Sequence, residues 1–290
     1  MTDHIAGLLG VGPAGIIYTS GASESNNLAI KGIAQASRST GRHMISTVLE
    51  HASVGGTLTA LQQQGWEVDL LDIQRDGTID LEQLGDLLRK DTILVSVCAV
   101  DSELGTVQPI RQITEILKDF PNCRLHVDAT QAIGKTELVM DGVDTMSIAP
   151  HKFYGLNGSG LLLKKSSVII EPQIHGTTLY RSGTPALALA VSIEKALQLT
   201  LTQQEERIRC VRQLNEYLKT ALLHYPSVRI NSPEGAVPHI LNLSVQGLKG
   251  TVFQRVLSER GVCVSVKSAC SAEGTPSKAV FAVSGDRKNA

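Results

Sequence analysis

Short apolar runs alternate, over the first 200 residues, with stretches in which apolar residues recur every three or four positions. The runs predict buried strands, and the stretches predict amphipathic helices. Because strands and helices take turns along the chain, we expect an α/β fold with a mainly parallel sheet sandwiched by helices. A strand at 158–165 follows a glycine-rich turn and is predicted to run antiparallel. The other predicted strands are 15–19, 44–47, 66–71, 92–100, one ending at 128 and one ending near 149.

The pattern changes after residue 200, where helices and short strands no longer alternate regularly. We predict a large α/β domain at 1–200 and a smaller α+β domain at 201–290. The elements predicted for the smaller domain are a charged helix at 203–223, strands at 228–230, 239–244 and 262–266, and a helix at 251–260.

Composition narrows the class of protein without identifying it. The 290 residues are 42% hydrophobic and 19% charged, with a net charge of −1 and 3% aromatics. A nearly neutral chain with few aromatics argues against a direct nucleic-acid partner. Because no membrane-length apolar run or signal peptide is visible, we expect a cytoplasmic protein with no membrane partner. The five cysteines form no CxxC pair, which argues against disulfides and a metal site.

Polar side chains follow two of the predicted strands at the points where the strands end. Asp128 closes one apolar run, and His151 and Lys152 follow another. In an open α/β sheet, the carboxyl ends of parallel strands form the ligand crevice. There an acid and an amine suit pyridoxal phosphate (PLP), since the amine bonds the aldehyde and the acid keeps the pyridine nitrogen protonated. A buried Asp–Lys ion pair is an equally good interpretation of these residues alone.

Two further segments carry polar groups just past a predicted strand. Small residues and hydroxyls at 20–27 open a helix, and free N–H groups at a helix N-terminus suit a phosphate. The alternative is a plain serine N-cap. His51 follows the strand 44–47, where it could stack on a planar ring or serve only as a structural hydrogen-bonding group.

Cys270 lies among small and flexible residues at 267–277, unlike Cys98 and Cys263, which lie in apolar runs typical of core packing. An exposed thiol on a mobile loop is a candidate nucleophile if a neighbour such as Lys267 lowers its pKa. The alternative is an incidental loop cysteine.

Together these motifs resemble the cysteine desulfurases of the class V aminotransferase family, which are PLP enzymes of fold type I. The resemblance covers essentially the whole chain. The carrying segments are TSGASESNNLAIKG (19–32), EHASV (50–54), HVDATQAIGK (126–135), HK (151–152), RSGT (181–184) and SAC (268–270).

The resemblance implies a homodimeric enzyme that converts L-cysteine to L-alanine and holds the sulfur as a persulfide. The sulfur would pass to an acceptor protein, either a scaffold for iron–sulfur cluster assembly or a tRNA-thiolation enzyme. Two alternatives stay open: a selenocysteine lyase or another class V aminotransferase, and an inactive or truncated PLP-binding homologue.

The resemblance also implies a role for each matching residue. Lys152 would carry the Schiff base, Asp128 would pair with the pyridinium, and Gln131 would bind the phenolic oxygen. His51 would stack on the ring and assist proton transfer, and the phosphate would be bound by Ala22, Ser23 and His151. Thr184 would reach the phosphate of the neighbouring subunit, and Cys270 would take the sulfur.

This chain departs from the family pattern at several points. Ser102, preceded by Asp101, stands where an asparagine near the ring oxygen is usual, and Ala149 stands where a phosphate-binding serine is usual. Ser23 replaces the threonine of the phosphate turn and keeps its hydroxyl. We also expect the chain to lack the family's N-terminal segment and its C-terminal end, which bears an arginine for the substrate carboxylate.

Overall fold

The computed structural model describes residues 1–184, 186–266 and 276–286. None of the helices within these ranges is long and apolar enough to cross a membrane. The helices are α1 (Thr2–Leu9), α2 (Ala22–Ala36), α3 (Ala52–Gln62), α4 (Leu81–Leu87), α5 (Ile110–Leu117), α6 (Leu187–Thr202), α7 (Gln204–Leu222), α8 (Gly250–Ser258) and α9 (Lys278–Ser284). The strands are β1 (Ile16–Thr19), β2 (His43–Thr47), β3 (Glu67–Leu71), β4 (Thr92–Cys98), β5 (Arg124–Asp128), β6 (Thr145–Ile148), β7 (Gly160–Lys164), β8 (Val228–Ile230) and β9 (Leu243–Val245).

A seven-stranded sheet in the order β1-β7-β6-β5-β4-β2-β3 forms the centre of the molecule. The strand β7 is antiparallel to both of its neighbours, β1 and β6. The pairs β2–β3, β2–β4, β4–β5 and β5–β6 are parallel. The predicted mainly parallel sheet, with an antiparallel strand after the glycine-rich turn, is therefore confirmed.

Helices cover both faces of the sheet. Successive residues of a strand point to opposite faces, and apolar residues on both faces pack against helices. In β7, Leu161 and Leu163 pack into one apolar cluster, which also takes residues of α1, α4, α5 and α6. Leu162, between them, packs into a second cluster with residues of α2 and α3. These two clusters make the sandwich that the alternation of elements predicted.

The residues beyond α6 include a two-stranded antiparallel sheet, β8–β9, and the helices α7 and α8. The strand predicted at 262–266 is wrong: Val262 and Val264 are exposed and belong to no strand, since alternating valines form a strand only where a partner strand pairs with them. The strand predicted at 239–244 is the shorter β9, because the chain turns at its start, where the backbone N–H of Ile240 donates to the Val237 carbonyl. The domain division between residues 200 and 201 stays a prediction.

Candidate active site

The carboxyl ends of several strands bring the predicted polar residues to one edge of the sheet. Asp128 is the last residue of β5, and His51 follows β2 by a short turn. The helix α2 starts just after β1, and Lys152 closes a single helical turn, Pro150–Lys152, after β6. This edge is where ligands bind in open α/β sheets.

Asp128 is buried and holds two hydrogen bonds from N–H donors. The backbone N–H of Thr130 donates to Oδ1 (3.0 Å), and Nδ2 of Asn26 donates to Oδ2 (2.8 Å). Each carboxyl oxygen of Asp128 therefore accepts a hydrogen bond from the protein. Within the residues that the structure describes, Asp128 forms no ion pair, so the alternative of a buried Asp128–Lys152 pair is wrong.

His51 is the N-cap residue of α3, and its ring is held by the first turn of that helix. Its Nδ1 accepts a hydrogen bond from the backbone N–H of Ser53 (3.1 Å) and lies 2.8 Å from the Ser53 hydroxyl. The ring is half-buried. Nδ1 is therefore occupied by the protein itself, and Nε2 is the nitrogen left for other contacts.

The predicted phosphate turn ends where α2 begins. Gly21 is the N-cap of the helix, and no side chain caps it, so the alternative of a serine cap is wrong. The N–H groups of Ala22 and Ser23 stand in the first turn, where a helix has no internal acceptors for them. The strand β7 approaches this turn so closely that a Cβ on Gly160 would lie 2.6 Å from Gly21. The turn can therefore lie this close to β7 because residue 160 has no side chain.

The segment 181–184 is attached to the start of α2 by an ion pair. The Arg181 guanidinium donates from Nε to the Glu24 carboxylate (2.9 Å). Burial would raise the pKa of Glu24, but hydrogen bonds from Arg181 and Ser20 outweigh it and lower that pKa. Thr184 is exposed and lines a cavity of about 350 Å³ that adjoins β1, whereas Asp128, His51 and Lys152 do not line it.

The amine of Lys152 is exposed and lies near two other basic groups. Partial burial and the charge of Lys152 lower the pKa of His151. Burial and the same charge lower the pKa of Lys135 to about 8. The Lys135 amine donates to Oε1 of Gln131, and the Gln131 amide N–H groups have no acceptor among the described residues. The lysine, the histidine and the glutamine of the predicted site are therefore neighbours.

The structure gives less support to Ser102. It is half-buried, and its hydroxyl has no hydrogen bond to another described residue. Its neighbour Asp101 is fully buried and accepts the backbone N–H groups of Glu103 and Leu104. Burial, partly opposed by these bonds, raises the pKa of Asp101 to about 6. Ser102 as a cofactor ligand stays a prediction, as does Cys270, which lies outside the described residues.

Sequence reasoning missed a second group of polar residues behind the site. Asn26 and His126 are fully buried, although each lies on an element whose buried neighbours are mostly apolar. Nε2 of His126 donates to Oδ1 of Asn26 (3.0 Å), and Nδ1 lies 2.9 Å from the Thr145 hydroxyl. Burial, outweighing the attraction of Asp128, lowers the pKa of His126 to about 4. In the sequence, Asn26 and His126 each stand among apolar residues that predict a buried face, and this pattern could have identified them.

Glu50 is a third missed residue, beside the carboxyl end of β4. Its Oε1 accepts the Thr47 hydroxyl and the Cys98 backbone N–H, both at 2.9 Å. Its Oε2 is buried and has no partner among the described residues. Burial, with the charges of Asp128 and Asp101 adding to it, raises the pKa of Glu50 to about 8. Glu50 is therefore mostly a neutral acid at neutral pH.

Solved structures with this fold are PLP enzymes of fold type I. A NifS-like protein superimposes with a TM-score of 0.92 at 31% sequence identity, covering 99% of this chain and 78% of its own. SspA in complex with cysteine superimposes with a TM-score of 0.83 at 31% identity, covering 99% of this chain and 82% of its own. The described part of the chain thus has the fold that the sequence predicted.

The sequence places the chain within one branch of these enzymes. The family model for aminotransferase class V matches residues 1–286, and the chain belongs to this family. The "NifS/IcsS protein homolog" of Lactobacillus delbrueckii subsp. bulgaricus is 40% identical over 278 residues, which are 93% of this chain and 72% of that protein. The cysteine desulfurase IscS of Dictyoglomus turgidum is 35% identical over 289 residues, 97% of this chain and 73% of that protein. The resemblance to cysteine desulfurases, a PLP-dependent family, is confirmed. The alternatives, a selenocysteine lyase or another class V aminotransferase and an inactive PLP-binding homologue, are not favoured.

Proposed function

We propose that this chain is a PLP-dependent cysteine desulfurase that removes the sulfur of L-cysteine and leaves L-alanine. The observation that carries the proposal is the Asp128 carboxylate, which is buried, held by two N–H donors and without an ion pair among the described residues. Its relatives named cysteine desulfurase, and the neighbour in complex with cysteine, support cysteine as the substrate.

The residues at the sheet edge fit the chemical groups of PLP. When bound, PLP supplies an aldehyde that bonds an amine and a ring that withdraws electrons from the substrate. A phosphate fits the first turn of α2, where N–H groups and the helix dipole favour an anion. A protonated pyridine nitrogen fits Asp128, since a buried carboxylate is stabilised by a cation.

Each matching residue then has a chemical role. Lys152 would bond the aldehyde and later hold the proton taken from the substrate α-carbon. Asp128 would keep the ring nitrogen protonated, and a Gln131 N–H would donate to the ring oxygen. His51 would stack on the ring. The phosphate would be bound by Ala22, Ser23 and His151.

Sulfur transfer is assigned to Cys270, which lies outside the described residues. We place the persulfide on Cys270, and the sulfur passes from there to a scaffold or thiolation protein. In a homodimer, Thr184 would reach the neighbouring subunit's phosphate. Its exposure, and the ion pair that fixes the segment 181–184 to α2, support a contact of this kind. A cytoplasmic location stays a prediction.

The test is an absorption spectrum of the full chain with PLP, before and after L-cysteine is added, together with an alanine assay. We expect a visible band that changes with cysteine, and alanine as the product. The variant Lys152→Ala should lose the visible band. Lys165→Ala, which removes an exposed amine elsewhere, should keep it. An unchanged band in Lys152→Ala would remove Lys152 from its role, and an absence of alanine would refute the desulfurase activity.

A further inference from the structure

Asn26 joins the two residues expected to contact the cofactor ring. It is fully buried on α2, and its amide group forms three side-chain hydrogen bonds. Nδ2 donates to Asp128 Oδ2 (2.8 Å) and to Ser53 Oγ (2.9 Å), while Oδ1 accepts from His126 Nε2 (3.0 Å). Asp128 is 102 positions away along the chain, and Ser53 is 27 positions away. One amide therefore links α2, α3 and β5 at the carboxyl edge of the sheet.

The direction of each hydrogen bond follows from the chemistry of the groups. Because Asp128 is an acceptor, the amide nitrogen of Asn26 must face it, and both of its N–H groups are then used. Ser53 Oγ accepts one of them, so its own hydrogen is free to donate to Nδ1 of His51 (2.8 Å). The Ser53 backbone N–H already donates to the same Nδ1 (3.1 Å). Nδ1 therefore carries no proton in the neutral ring.

We propose that Asn26 is a positioning residue that couples Asp128 to His51 and helps to fix His51 as the Nε2–H tautomer. Asn26 orients the Ser53 hydroxyl, and the hydroxyl then donates to Nδ1. His51 in this state offers a hydrogen-bond donor at Nε2 and cannot accept a proton there. Removal of the substrate proton accordingly falls to another base, Lys152. The importance of the tautomer for catalysis rests on the proposed function, but the tautomer itself does not.

The tautomer can be measured directly on the full chain, without PLP and with it. In protein labelled with ¹⁵N-histidine, the two ring-nitrogen shifts report which nitrogen carries the proton. The spectrum is taken at mildly alkaline pH, where ordinary histidines are neutral. The signals of His51 are assigned by their loss in His51→Gln. We expect His51 to be almost entirely the Nε2–H tautomer in the wild-type chain.

Variants separate the proposed coupling from a general effect on folding. In Asn26→Asp, the oxygen that replaces Nδ2 should share a proton with Asp128 and accept the Ser53 hydroxyl, which then no longer donates to His51. Loss of one ordinary hydrogen bond corresponds to about a fivefold fall in the ratio of Nε2–H to Nδ1–H. Ser53→Ala should give the same fall, and the double variant should give no further fall, because both changes act through one hydroxyl. Asn27→Asp is the matched control, since within the described ranges the Asn27 side chain donates to the backbone oxygen of Ser23 alone, and it should leave the ratio unchanged.

Two results would overturn the proposal. One is a His51 ring protonated on Nδ1 in the wild-type chain. The other is a ratio unchanged in Asn26→Asp, with only a lower melting temperature, which would make Asn26 a structural residue. If Asn26→Asp does not fold, Asn26→Ala and Ser53→Ala decide the question in its place. A chain that shows the expected tautomer but binds no PLP would refute the proposed function and leave this coupling intact.

Discussion

Three buried carboxyl groups lie close together at the carboxyl edge of the sheet: Glu50, Asp101 and Asp128. They differ in the hydrogen bonds that their carboxyl oxygens accept. Asp128 has two N–H donors and no orphan oxygen. Glu50 has a buried oxygen without a partner among the described residues. Since neighbouring negative charges repel in a buried site, Asp128 and Asp101 add to the effect of burial in raising the pKa of Glu50.

The raised pKa of Glu50 makes stability depend on pH. In the unfolded chain, Glu50 has an ordinary pKa near 4.5, whereas folding raises it to about 8. The folded state therefore binds the proton more tightly, and its stabilising effect is lost as the pH rises from about 4.5 through about 8. We expect the free energy of unfolding to fall over this window, by at most ~1.4 kcal/mol per pH unit from this group.

The variant Glu50→Gln isolates that contribution, because it keeps the shape and cannot titrate. Urea unfolding of both proteins at several pH values should show a flatter dependence for the variant. Asp119→Asn, which changes an exposed carboxyl group, serves as the control and should behave like the wild type. Equal slopes in Glu50→Gln and the wild type would contradict the raised pKa.

At the scale of elements, the site depends on how closely strand β7 packs against the turn before α2. A Cβ added to Gly160 would lie 2.6 Å from backbone atoms of Gly21 and 2.7 Å from the Thr19 hydroxyl. Backbone atoms cannot move aside as a flexible side chain can. The position of the phosphate turn therefore depends on the absence of one side chain in the neighbouring strand.

We expect Gly160→Ala to destabilise the fold by ~1–3 kcal/mol, the usual cost of overpacking, and to weaken phosphate binding at α2. Gly85→Ala is the matched control, because no atom lies within 4 Å of its added Cβ. In the interior of α4, that change should stabilise the protein by ~0.5–1 kcal/mol. Urea unfolding and the PLP dissociation constant measure the two effects. A Gly160→Ala variant as stable as the wild type would show that the turn can shift freely.

At the scale of the whole molecule, the proposed dimer would build each site from two chains. Lys152 would serve the site of its own chain, and Thr184 the site of its partner. A heterodimer of Lys152→Ala and Thr184→Ala chains would then contain one site with both lesions and one site with neither. This arrangement makes the subunit contribution of Thr184 measurable without a structure of the dimer.

Mixing the two variants under conditions that exchange subunits should restore alanine production to about one quarter of the wild-type rate. Half of the dimers would be mixed, and half of their sites would be intact. The two variants kept separate provide the baseline. No gain on mixing, with exchange verified by differently tagged chains, would place Thr184 in its own chain's site or outside the site.

Local sequence patterns determined the strands, the helices and the edge at which the site lies. Two apolar runs, one ending at Asp128 and one just before Lys152, predicted buried strands with polar ends. Buried strands are apolar, whereas residues that bind a polar ligand are polar. The valine alternation at 262–266 failed, since a strand needs a partner that its own sequence does not specify.

Only the tertiary structure decided which polar groups meet. Asn26, Ser53, His126 and Asp128 come from separate elements, and strand order and packing bring them within hydrogen-bonding distance. The charge state of Glu50 has the same origin, because burial and neighbouring carboxyl groups act through space and not along the chain. The sequence by itself determined the position of each polar residue within its own strand or helix. Their protonation, their hydrogen-bond directions and their coupling were decided by the distances that folding sets between them.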